Sequence, residues 1–153
     1  MKVGGKVPAL RLPQIDGREW RLGHHAGEKV VLYFYPKDMT PGCTLEGQDF
    51  RDLHAAFRRA KTAVFGISRD NCASHVKFRE RERFPFELLS DEKQSLVKLF
   101  DVWKEKSMYG KKYMGIERST FLIDAKGVLR QEWRKVKVDG HAEEVLAAAR
   151  GLK

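Results

Sequence analysis

Cysteine is scarce in this chain of 153 residues, with Cys43 and Cys72 as the whole complement. Two thiols cannot build a disulfide scaffold. Neither they nor the five histidines show the paired spacing of a zinc site, so no metal and no cofactor is expected. Long apolar runs are lacking too. The longest, residues 30–35, has six residues, against roughly 20 for a membrane helix and about 7 to 15 for the core of a secretion signal. No membrane partner is expected, and a cytoplasmic location is. Pro, Gly and Ser never cluster into a linker and no repeat interrupts the chain, so residues 1–153 read as one domain.

What the chain has in quantity is charge: 30 Lys and Arg against 21 Asp and Glu, a net +9. A basic surplus raises the question of nucleic acid, because cationic patches release counterions from phosphates. Here the basic residues are scattered and mixed with acids, as in Arg79-Glu80-Arg81-Glu82-Arg83, which is the pattern of a solvated face, and no nucleic-acid partner is expected. With 42% hydrophobic residues, a chain of this length can bury roughly 70% of its unfolded surface around a sizeable core.

Residues 9–22 alternate around Asp16-Gly17, a turn pair suited to positive φ, and predict an amino-terminal hairpin. Residues 29–35 and Thr62–Ser68 are apolar enough for buried strands. Between them, Phe50, Leu53, Phe57 and Ala60 mark one stripe of a helix over 44–60. Asp70 or Asn71 can cap a helix running to about Glu82, and Ser90 or Asp91 another carrying Leu96, Leu99 and Phe100. Strands at Ser119–Ile123 and 128–133 flank a turn at 124–127, and a last helix spans 142–152. This order predicts an α/β fold with a mixed central sheet covered by helices on both faces. It is compatible with the thioredoxin fold among several others.

Chemistry concentrates in Pro36-Lys37-Asp38-Met39-Thr40-Pro41-Gly42-Cys43-Thr44. Thr40 can be the N-cap, its hydroxyl accepting from the amide of Gly42 or Cys43, with Pro41 at the first helical position. Cys43 then lies in the first turn, where unpaired N–H groups and the helix dipole favour an anionic sulfur. Keeping a thiol of ordinary pKa about 8.5 mostly ionised down to about pH 6 takes roughly 3.4 kcal/mol, whereas a helix end supplies typically about 0.3 to 1 kcal/mol. A fixed cation should therefore stand beside the sulfur, and arginine suits best. Spacing does not select which one.

The segment YFYPKDMTPGCTLEGQDFRD, residues 33–52, resembles the active-site signature of peroxiredoxins, and YMGIERSTFLID, residues 113–124, is similar to the segment carrying their active-site arginine. The match lies with the subfamily called bacterioferritin comigratory protein or peroxiredoxin Q, and runs through nearly the whole chain. It implies a thioredoxin-like fold and a thiol peroxidase acting on hydroperoxides. By position, Cys43 becomes the peroxidatic nucleophile and Arg118 the cation beside it. Thr40 would hydrogen-bond the thiolate and a peroxide oxygen, Pro36 would shield the sulfur from water, and Glu46 would orient the network. The sulfur leaves as a sulfenic acid, recycled by thioredoxin or another thiol reductant. The short carboxy-terminal end, without a further cysteine, resembles the monomeric members.

The chain departs from the subfamily at its resolving cysteine. Where many members carry one five residues after the nucleophile this chain has Gln48, and where others carry one in the next helix it has Arg79. Cys72 matches neither pattern, yet it stands two helical turns from Arg79 on one face. It reads either as a small apolar residue at a helix start or as the thiol that resolves Cys43. Two rival functions fit the sequence less well. A thiol-disulfide oxidoreductase wants a second cysteine three positions after the first, where this chain has Glu46. A basic binding module would have no use for the Cys43 signature. The histidines are expected at the surface or at helix caps.

Overall fold

A computed structural model describes residues 1–152. Chain order begins with a hairpin, β1 (Arg11–Pro13) and β2 (Glu19–Arg21), paired antiparallel from Arg11 opposite Arg21 to Pro13 opposite Glu19. Its turn differs from the two-residue pair expected: Gly17 alone has positive φ, at 84°, and Gln14 accepts from Gly17 and donates to Arg18. Ile15, Asp16 and Gly17 thus form a three-residue loop with the glycine in the left-handed position.

The central sheet is built from β3 (Lys29–Phe34), β4 (Thr62–Ser68), β5 (Leu88–Ser90), and two later strands, β8 (Ser119–Ile123) and β9 (Leu129–Trp133), in the order β5-β4-β3-β8-β9. The three amino-terminal strands are mutually parallel, and β8 and β9 run antiparallel to their neighbours. Every residue of β3 and β4 is buried, because both faces of the sheet are covered. Strand alternation sorts the side chains. Val31, Tyr33 and Tyr35 join one core cluster, while Val30, Leu32 and Phe34 join the other.

The first cluster is completed by α1 (Pro41–Asp52), α2 (His54–Arg59), α3 (Cys72–Glu82) and α5 (His141–Gly151), through Phe50, Phe57, Phe78 and Val145. The opposite face takes the hairpin through Leu12 and Trp20, and α4 (Ser95–Leu99) through Leu96 and Val97. One expected helix is two: Leu53, at φ −98° and ψ 4°, ends α1 and begins α2, turning Ala56 and Phe57 into the core. Asn71 rather than Asp70 caps α3, accepting from the Ser74 amide at 2.8 Å, and Asp91 receives the Leu96 and Val97 amides at the start of α4.

A two-stranded ribbon, β6 (Trp103–Met108) and β7 (Lys111–Ile116), was not expected. Most of its residues are solvent-exposed or half-exposed, so no apolar alternation announces it. The local signal was Tyr109-Gly110, both at positive φ (52° and 78°), a two-residue hairpin turn. No helix among the described residues is long and apolar enough to cross a membrane.

Candidate active site

The site forms where β3 runs out and α1 begins. Tyr35 still bonds across to Ile67, after which residues 36–40 loop over the strand ends and Pro41 starts the helix. Thr40 occupies the N-cap position, but its side chain does not cap: the hydroxyl donates to the Lys37 carbonyl at 2.8 Å. The expected contact with the helix amides is therefore replaced by one that tightens the loop, and the hydroxyl proton is not aimed at the sulfur. Only the Thr40 carbonyl serves the helix, accepting from Thr44 at 2.9 Å. Among the described residues, nothing bonds to the amides of Gly42 and Cys43, so the first turn keeps two N–H groups to offer an incoming oxygen.

The expected cation is present. Arg118, just before β8, donates from Nη2 to the Cys43 sulfur at 3.4 Å and from Nη1 to Glu46 at 2.6 Å. Cys43 and Glu46 share one side of α1, three residues apart, so a single guanidinium fork spans both. Glycine at 42 permits the approach, since a Cβ there would meet Arg118 Nη2 at 3.1 Å. Burial opposes the charge on Arg118, but Glu46 and the sulfur outweigh it and hold its pKa above the ordinary value. Glu46 is almost wholly enclosed, and burial pushes it up to about 7 against the pull of Arg118. Its Oε2 finds no partner among the described residues.

Cys43 lies at the floor of a cleft of about 580 Å³, only 2% exposed. Pro36 and Thr40 wall one side, and the ribbon supplies Trp103 and Lys106 on the other, with Arg69 stacked over Trp103 at 4.7 Å. Lys106 escaped sequence reasoning, because its place depends on the unforeseen ribbon. Burial, and then Arg118, lower its pKa. The cleft wall contains cations and no carboxylate, which suits an anionic sulfur and a departing oxyanion.

Cys72 stands apart from this group. It is the first residue of α3, half-buried, with its sulfur 3.8 Å from the Gln14 carbonyl, and it is not bonded to Cys43. Burial, and then Glu92, push its thiol up.

Of the histidines expected at the surface or at helix caps, His75 and His141 are enclosed, His141 at the start of α5. His75 is fully enclosed between Asp38 and the Leu89 carbonyl, and His141 meets Thr120 at 2.8 Å, with burial and then Arg118 driving its pKa down to about 4. Asp38, Asp70 and His75 bring their ligand atoms within 4.8 Å of one another, but those oxygens and nitrogens face protein hydrogen-bond partners.

Comparison with known proteins bears on this geometry. The AhpC/TSA family model matches residues 3–132. The chain is 49% identical over 152 residues to peroxiredoxin Bcp of Bacillus subtilis, covering 99% of this chain and 97% of that one. Against peroxiredoxin Bcp of Xanthomonas campestris it is 52% identical over 139 residues, covering 91% and 87%. Among solved structures, the Xanthomonas campestris bacterioferritin comigratory protein, studied for alkyl peroxide reduction, superposes with a TM-score of 0.87 at 50% identity, covering 92% and 90%. A cysteine-to-serine mutant of PrxQ from Xylella fastidiosa gives 0.92 at 42% identity, covering 97% and 94%.

Proposed function

This chain belongs to the AhpC/TSA family, as a peroxiredoxin of the Bcp or PrxQ kind with a thioredoxin-like fold, and is thus a thiol-dependent peroxidase; we propose that Cys43 is its peroxidatic nucleophile. The observation that carries the assignment is the Arg118 guanidinium 3.4 Å from the Cys43 sulfur at an uncapped helix start.

The thiolate attacks one oxygen of a hydroperoxide. The S–O bond forms as the O–O bond breaks, and the departing oxygen takes the electron pair. Arg118 and the amides of Gly42 and Cys43 stabilise the charge moving onto that oxygen. Pro36 shields the sulfur from bulk water. Thr40 acts in this reading by holding the loop through Lys37, and can turn its hydroxyl to a bound peroxide only by giving up that bond. Glu46 orients Arg118 through the second arm of its fork.

Hydrogen peroxide and organic hydroperoxides are the substrates we assign. Cys72 is the resolving thiol, attacking the sulfenic acid to give a Cys43–Cys72 disulfide that thioredoxin or another thiol reductant then reopens. Two free cysteines fit a reducing compartment, and we place the enzyme in the cytoplasm as a monomer and a single domain.

Peroxide consumption by Cys43→Ser tests the nucleophile: loss to the uncatalysed rate is expected, and retained activity refutes it. Peptide mapping without reductant after one equivalent of peroxide tests the rest. A Cys43–Cys72 bridge is expected, and a persistent Cys43 sulfenic acid without it makes this a one-cysteine enzyme.

A further inference from the structure

Between the two cysteines lies a buried polar network that the peroxidatic chemistry does not use. Its hub is Asp38, in the loop leading to Cys43 and only 4% exposed. One carboxylate oxygen accepts from the Tyr35 hydroxyl at 2.6 Å. The other accepts from the Ser74 hydroxyl at 2.7 Å and meets His75 Nδ1 at 2.7 Å. The Asp38 amide donates to Asp70 at 2.8 Å, and Asp70 also accepts from Ser68 at 2.6 Å. Ser74 and His75 are in the first turn of α3, directly after Cys72.

Both ring nitrogens of His75 face acceptors, Asp38 on one side and the Leu89 carbonyl at 3.1 Å on the other. The ring is thereby fixed from both sides, and with it the first turn of α3. The network joins the segment that presents the nucleophile to the helix start that presents the second thiol.

We propose that Asp38 is a positioning residue that clamps the Cys43 loop onto the first turn of α3, and that release of this clamp governs how fast Cys72 reaches the oxidised sulfur. The second half rests on the assignment of Cys72 as the resolving thiol. In the structure the two sulfurs are unbonded and lie against different neighbours, Arg118 for Cys43 and the Gln14 carbonyl for Cys72, so both contacts have to be given up before they can bond. Once they meet, the Cys72 sulfur attacks the Cys43 sulfenic sulfur. The S–S bond forms, the S–O bond breaks, and hydroxide leaves as water with the thiol proton of Cys72. Closed, the clamp keeps the peroxide site assembled; open, it admits resolution. Its strength therefore sets how long the sulfenic acid waits, exposed to a second peroxide that would carry it to sulfinic acid.

The test measures amide hydrogen exchange at residues 36–43 and 71–75 of the full chain, and by stopped flow the rates of sulfenic acid and disulfide formation. Ser74→Ala removes one arm and leaves the Asn71 cap untouched. Asp38→Ala removes the hub. Ser95→Ala, which deletes a comparable serine–aspartate bond from the start of α4 to Asp91, is the control. Ser74→Ala is expected to speed exchange in both segments and disulfide formation several-fold, with sulfenic acid formation unchanged and overoxidation reduced. Asp38→Ala should speed exchange by about tenfold or more, the scale of losing bonds to a buried charged group. Ser95→Ala should alter none of these. Unchanged exchange in both Ser74→Ala and Asp38→Ala overturns the clamp. If the parent forms no Cys43–Cys72 bridge, the recycling assignment falls alone, and exchange still decides whether the clamp exists.

Discussion

Two helices of this protein start with a cysteine in the first turn, each directly after a parallel strand of the same sheet, and they are chemically unlike. At α3 the Asn71 side chain takes the Ser74 amide, Cys72 is half-buried, and the nearby charge that acts on its thiol is Glu92, which disfavours the anion. At α1 the Thr40 side chain leaves the helix amides alone, Cys43 is enclosed, and a guanidinium lies 3.4 Å from the sulfur. A helix end is thus common to both and does not by itself separate them. The difference comes from what a distant part of the chain brings: Arg118 from the start of β8 at one, the Gln14 carbonyl of the hairpin loop at the other.

The comparison breaks most sharply at Arg118. Arg118→Ala is expected to cut the peroxide rate constant roughly 100- to 1000-fold, the cost of removing one preorganised charge-stabilising donor, and to make Cys43 behave more like Cys72 in thiol-labelling rates. The double variant Arg118→Ala with Glu46→Gln separates loss of the cation from a carboxylate stranded in the core. If both variants keep full activity in the peroxide assay, the cation is not what distinguishes the two sites. Next in size is Thr40. Thr40→Val loses the bond to Lys37 and any donor toward a peroxide oxygen, and should slow the first step by about tenfold, while Thr40→Ser stays closer to wild type.

At the other helix start, Asn71→Ala should lower stability by about 1 kcal/mol in urea unfolding and leave the rate of sulfenic acid formation unchanged. The finest discriminator is pH. The Glu46 carboxyl is raised from an ordinary 4.5 to about 7 in the folded protein, so the folded state holds the proton more tightly than the unfolded chain. Its contribution to stability is fully present below pH 4.5 and is lost as pH rises to about 7. Measured by denaturant midpoints, wild type should weaken relative to Glu46→Gln across that window; parallel curves would show that Glu46 is not perturbed.

How far such a site can be read from sequence depends on where its parts come from. β4 was predicted at its observed bounds because a buried strand is a local apolar run, and α3 because its cap stands next to the turn it starts. The broken helix at Leu53 was missed, since periodicity is blind to a single residue in the bridge region. The ribbon β6–β7 was missed because its faces are wet, and with it Lys106 in the cleft wall. Gly42 was read only for its amide; what requires a glycine there is the approach of Arg118, which is 76 positions away. His75 and His141 read as surface or capping histidines because only the fold encloses them.

The chain's own order of residues determined the class of chemistry: a cysteine behind Thr-Pro-Gly at a helix start, between strands whose apolar runs bury themselves locally. It determined too that a cation was needed, since the energy a helix end supplies falls short. Which cation stands there, and that Asp38 ties the Cys43 loop to the helix of Cys72, were decided by tertiary structure alone. Those contacts join residues 36 to 75 positions apart, and a spacing rule reaches only as far as a helical turn or a strand pair.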